Sequence, residues 1–205
     1  MAQIQTDTTG QIVARPEGDR DKLLHLVQRM APAIAKALPR HVSPDRMSRI
    51  VTTALRTTPK LAECTPASFL GCVMQLAQLG LEPNTPLGHA YLIPRVNRKQ
   101  GFTYCTQIIG YQGMIDIARR SGMVSNVYAY AVREGDEFAY QLGTERSVRH
   151  VPSEERGREE RKLTHVYAVA KYASGGDPDF IVLTQEKIEA RRKRSSASSG
   201  PWATD

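Results

Sequence analysis

The chain has 205 residues, 40% hydrophobic and 24% charged, close to the globular average, which excludes a wholly disordered, collagenous or membrane-spanning protein. Lys and Arg total 28 against 21 Asp and Glu, a formal net charge of +7. That surplus points to nucleic acid or an acidic membrane face, although many ordinary soluble domains carry a similar excess.

Residues 1–19 read as a disordered arm, polar and without period. They lack the apolar stretch of a signal peptide, and no run in the chain approaches the ~20 apolar residues of a membrane span. A cytoplasmic protein with no membrane partner is expected. Leu23, Leu24, Val27, Met30 and Ala31 then mark one helix face, which Pro32 should end or restart as a short helix through Leu38. Ser43-Pro44-Asp45 is a helix start, followed by Met47, Ile50, Val51, Ala54 and Leu55 at helical spacing. Thr65-Pro66 repeats that signal ahead of Leu70, Val73, Met74 and Ala77, with Gly80 as the C-terminal cap. The face of Leu70, Val73, Met74 and Ala77, with that of the 20–38 segment, exceeds what one small sheet covers, so part of it is expected to pack against neighbouring subunits.

Beyond residue 82 the pattern turns to strands. Gly88–Arg95 and Phe102–Ile109 read as a hairpin. Tyr111–Ser121 reads as a short helix with Met114, Ile117 and Ala118 on one face, closed by Gly122. Strands follow at Val124–Arg133 and Glu137–Leu142, then a charged, mobile loop over Val148–Lys162. Leu163–Tyr172 is the cleanest strand, pairing with Phe180–Leu183, and Thr184 caps a basic helix that runs into a Ser-rich stretch. The expected organisation is an arm (1–19), a helical part (20–82), a strand-rich core (83–194) and a Ser/Gly-rich segment (195–205), an α+β protein with no internal repeat.

None of the 15 glycines precedes a lysine, so the phosphate loop of nucleotide-hydrolysing enzymes is missing. Gly110-Tyr111-Gln112-Gly113 opens a helix whose N–H groups could receive a phosphate, a generic feature. Cys64, Cys72 and Cys105 form no C-x-x-C pair and read as small thiols in a reducing cytosol, and the five histidines show no metal-ligand spacing. A Cys–His pair meeting only in space stays open. A magnesium-dependent nuclease would use Asp116, Glu134 and Asp136, but Glu134-Gly135-Asp136 reads better as a solvated turn. All eight tyrosines fall in the strand-rich segment, interleaved with Arg95, Arg98, Lys99, Arg119, Arg120 and Lys171, and a second cluster holds Lys187, Arg191, Arg192, Lys193 and Arg194. Rings on a sheet beside cations suit stacked bases and a tracked phosphate backbone. Tyrosines also simply favour strands, and cations favour helix C-termini.

Five stretches in order resemble the RecT family of phage and prophage single-strand annealing recombinases. They are Pro59–Leu70, Gln78–Asn84, Gly88–Pro94, Ile108–Gly122 and Gly200-Pro201-Trp202, and the resemblance covers roughly residues 35–205. It implies a twisted antiparallel sheet with packed helices, a fold shared distantly with Redβ. It also implies single-stranded DNA binding and annealing to duplex without ATP or another cofactor, magnesium being at most modulatory. A homo-oligomeric ring or helical filament is implied as well, with DNA in a basic groove and no covalent catalytic site. Tyr111, Arg119 and Arg120 match the family's strand–helix motif, and Lys171, Arg192, Lys193 and Arg194 would be further phosphate contacts. Gln112 stands where the family commonly has lysine, so a contact there would pass to Arg95 or Lys99. Trp202 reads as a packing or hinge residue. The family normally continues past Asp205, and a host single-strand-binding protein is a further candidate partner of that tail. The rivals are the nuclease and a nucleic-acid coating protein that does not anneal.

Overall fold

The computed structural model describes residues 17–195, with side chains from residue 20. The expected arm therefore lies almost wholly outside the described residues, as do Trp202 and all but the first residue of the Ser/Gly-rich segment. The chain divides into two compact units, the first running to Ile117 and the second starting at Ala118.

The first unit holds α1 (Glu17–Ala37), α2 (Pro44–Thr57), a 3-10 turn (Pro59–Glu63), α3 (Pro66–Leu79) and the hairpin β1 (Ala90–Asn97) with β2 (Phe102–Ile109). Both Pro-marked starts are helix N-termini. The Ser43 hydroxyl accepts from the Arg46 N–H at 3.1 Å, whereas the Thr65 hydroxyl donates to Ser68 Oγ instead of capping the backbone. Pro32 neither ends nor divides α1, contrary to expectation. It removes one backbone hydrogen bond, but Leu23, Val27 and Ile34 continue one buried stripe across it, and their burial outweighs the loss. The core joins this stripe to Met47, Leu55, Phe69 and Leu76, and then to Ala90, Leu92 and Cys105 of the hairpin. Helices and first hairpin thus share one core, so no division falls at residue 82. Of the α3 face, Val73 and Ala77 are buried inside this unit, Leu70 and Met74 are partly buried against its core, and Leu79 is exposed.

The Gly80–Asn84 stretch is a structural joint. Gly80 (φ +64°) closes α3, where any Cβ would press into Pro39 and the His41 ring. Glu82 is buried and takes a two-pronged ion pair from Arg46, which holds its carboxyl below the usual range. Asn84, at φ +55°, accepts from the Leu92 N–H at 2.7 Å and donates its own N–H to the Ala90 carbonyl at 2.9 Å. α2, α3 and β1 are thereby locked together.

α4 (Tyr111–Arg120) carries the boundary between the units. Gly113 is buried and Ile117 packs on the first core, but Met114 points to solvent rather than sharing a buried face.

The second unit contains β3 (Val124–Arg133), β4 (Glu137–Gln141), β5 (Ser147–Val151), a 3-10 turn (Arg158–Glu160), β6 (Leu163–Tyr172), β7 (Asp179–Thr184) and α5 (Gln185–Arg194). β3, β6 and β7 form an antiparallel sheet in that spatial order, and β4 pairs with β5 as a separate hairpin. The mixed α+β architecture with antiparallel strands is as expected, distributed among the described residues over three separate sheets. Residues 147–151 are a strand, not the start of a mobile loop. Val148 and His150 turn inward while Ser147, Arg149 and Val151 stay exposed, a period-two pattern masked by its charges. Phe138 faces His150 across the hairpin and stacks on Tyr167 of β6 at 5.7 Å.

Asp136 overturns the solvated-turn expectation. Its side chain is 0% exposed. It accepts from Arg158 Nε (2.8 Å) and Nη2 (2.6 Å), from the backbone N–H of Arg133 and Ser153 (2.9 Å each), and from His150 Nε2 (3.0 Å). The other His150 ring nitrogen lies 3.2 Å from the Tyr167 hydroxyl. Arg158 therefore straps the 152–162 segment onto the sheet. Among the described residues, no helix is long and apolar enough to cross a membrane.

Candidate nucleic-acid interface

In the first unit the expected contacts occupy the β1–β2 hairpin and the start of α4. Strand alternation sends Ala90, Leu92 and Cys105 inward and puts Tyr91, Arg95, Phe102, Tyr104 and Ile108 on the opposite face. Arg95 is exposed opposite Tyr104, and Lys99 is exposed in the turn, where its N–H donates to Asn97 Oδ1 at 3.1 Å. Tyr104 packs edge-on against Phe102 at 6.2 Å. This aromatic face was legible only as alternation within each run.

Tyr111 is 66% exposed, so it is not a core residue, and the Gln112 side-chain amide donates to its hydroxyl at 2.9 Å. The neighbouring glycines serve close packing. A Cβ on Gly110 would collide with the Gly88 carbonyl oxygen, and one on Gly113 with that of His89. The Gly110 N–H already donates to the His89 carbonyl at 2.9 Å, so it is not a spare donor for a phosphate.

In the second unit, Arg119 and Arg120 are exposed at the end of α4 and Lys171 is exposed on β6. The Lys171 ammonium lies 5.9 Å from the Tyr128 ring centre. α5 carries Lys193 and Arg194 exposed, while Arg192 is half-buried, 4.0 Å from Glu189. The Thr184 hydroxyl caps α5 by accepting from the Lys187 N–H at 3.4 Å, and the helix packs beside β6 and β7. Lys171 and the α5 cations are thus borne by one sheet and its terminal helix, and Arg95 and Lys99 by one hairpin.

Asp136 and two of the three thiols are committed to the fold. Arg158 holds the Asp136 carboxyl far below the usual range, helped by the two backbone N–H groups and His150. With five donors on its two oxygens, Asp136 has no lone pair to offer magnesium, which removes one of the three carboxylates from the nuclease constellation. Among the described residues no three His, Cys, Asp or Glu side chains group as metal ligands. Contact with Cys64, with burial, pushes the Cys105 thiol far up, and burial raises Cys72. Buried thiols of this kind are poor nucleophiles.

The sequence model of the RecT family matches residues 45–205. The chain belongs to the RecT family. Protein RecT of Escherichia coli (strain K12) is 47% identical over 178 residues, 85% of this chain and 65% of that protein. YqaK of Bacillus subtilis (strain 168) is 26% identical over 147 residues, 71% of this chain and 47% of its own length. The chain thus spans less than two thirds of either relative. The RecT match takes in every expected contact, from Arg95 to Arg194, together with the Glu82–Asn84 joint and the Asp136 strap.

Proposed function

We propose that this RecT-family chain binds single-stranded DNA and anneals it to its complement in homologous recombination, without ATP and without a covalent catalytic step. The family match over residues 45–205 carries the proposal, and the 47% identity to Protein RecT supports it. Exposed cations on the hairpin, at the end of α4, on β6 and along α5 supply the chemistry. Arg95, Lys99, Arg119, Arg120, Lys171, Arg192, Lys193 and Arg194 hold phosphates, Tyr111 stacks on a base, and Gln112 gives a neutral polar contact. Phosphate tracking carries no sequence information, so any complementary pair is a substrate. Bases left facing outward from a held backbone are free to test a second strand. The protein works as a ring or filament of many copies inside the cell, with magnesium only modulating charge, and a host single-strand-binding protein is a further partner.

The test mixes complementary labelled oligonucleotides with protein, with and without ATP and with and without EDTA. Duplex formation in all four conditions, with strands of unchanged length, is expected. Shortened strands that EDTA protects would establish a nuclease, and binding without duplex formation a coating protein.

A further inference from the structure

The β4–β5 hairpin covers only part of the inner face of the β3–β6–β7 sheet. Under it, Phe138 stacks on Tyr167 with the planes 26° apart, and Tyr167 is 8% exposed. Tyr130 is the direct cross-strand partner of Tyr167, with ring centres 6.0 Å apart, yet it is 57% exposed. Tyr128 follows at 5.7 Å from Tyr130, and the Lys171 ammonium sits over Tyr128. Two rings, Tyr130 and Tyr128, thus continue outward from the covered Phe138–Tyr167 stack, ending at a cation for which no carboxylate partner exists among the described residues.

We infer that Tyr130 is a base-stacking residue of the DNA site, with Lys171 holding the adjoining phosphate. The inference rests on the single-stranded DNA binding proposed above. An aromatic ring next to an ammonium suits a ligand that is itself planar and anionic, whereas a purely apolar partner would leave Lys171 stranded. Tyr128 and Tyr167 flank the Tyr130 ring and hold it in place, so little side-chain freedom remains to be lost on binding. Every base has a π face, so such a contact adds affinity without sequence preference.

The experiment uses the full chain and an oligonucleotide carrying 5-iododeoxyuridine, irradiated with long-wavelength ultraviolet light, with adducts mapped by mass spectrometry. Affinities of wild type, Tyr130→Leu and Tyr130→Trp are measured alongside, with thermal unfolding of each. An adduct on Tyr130 is expected, together with roughly 5- to 150-fold weaker binding by Tyr130→Leu. The slope of log affinity against log salt should stay unchanged, and Tyr130→Trp should bind at least as well as wild type. Lys171→Ala should lower the slope instead. If wild type binds but the adduct falls elsewhere and Tyr130→Leu binds as wild type does, the inference is overturned and DNA binding stands. If wild type binds no oligonucleotide, both fall. Loss of binding by Tyr130→Trp as well as Tyr130→Leu, with a lowered melting temperature, would make the role structural and also overturn it.

Discussion

Replacing Asp136 by asparagine keeps the size of a buried side chain but removes the charge on which five donors converge. Arg158 would be left facing a neutral amide, and one or more of the Arg133, Ser153 and His150 donors would meet an N–H₂ group. Breaking a buried ion pair costs about 3–5 kcal/mol, and the low end applies because the Arg158 side chain keeps some contact with water. A loss of about 3 kcal/mol lowers the melting temperature of a chain of this size by roughly 6–12 °C. Because the folded-state pKa of Asp136 is depressed, its contribution is present in full above the unfolded value of about 3.9 and drains away as the pH falls below it. Wild type should therefore lose stability steeply on acidification below about pH 4, and the asparagine variant less steeply. Trypsin should cut the variant at Arg156 or Arg161 while sparing wild type. Equal melting temperatures, equal acid slopes and a strap equally resistant to trypsin would refute the role given to Asp136.

Removing any one cation that truly holds a phosphate should lower the magnitude of the salt slope by about 0.7 while weakening all sequences alike. That outcome is expected for Arg119→Ala, Lys171→Ala and Lys193→Ala in filter-binding titrations, and not for Arg149→Ala, whose guanidinium is already 3.3 Å from Glu137. Tyr111→Ala should leave the melting temperature nearly unchanged, since the ring is largely exposed. It should weaken single-strand binding by about 1–3 kcal/mol with the salt slope intact. Gly113→Ala drives a methyl group into the His89 carbonyl and should destabilise the first unit by about 1–3 kcal/mol, measurable by chemical denaturation.

Local signals carried well into the fold. Ser43-Pro44, Thr65-Pro66 and Gly80 act within one turn of helix, so their readings needed no knowledge of distant residues. Pro32 misled because its cost is local, whereas the burial of Leu23, Val27 and Ile34 depends on α2 and α3. β5 and Asp136 were hidden for the same reason. The partners that bury Asp136 lie 14 to 22 residues away, and no short window distinguishes a carboxylate awaiting them from one in a solvated turn. The expected cations were recognisable by type and emerged exposed, apart from half-buried Arg192. Tyr130 and Tyr167 look alike in sequence, and only the placement of the β4–β5 hairpin buries one and leaves the other open.

The most direct measurement is the rate at which two complementary oligonucleotides, one carrying a fluorescence donor and the other an acceptor, form duplex with EDTA present and nucleotide absent. The full chain should accelerate the reaction over DNA alone for any sequence, and the folded triple variant Arg119→Ala, Arg120→Ala, Lys171→Ala should lose most of that acceleration. A wild-type protein that binds both strands yet leaves the rate at or below that of DNA alone would contradict annealing as its activity.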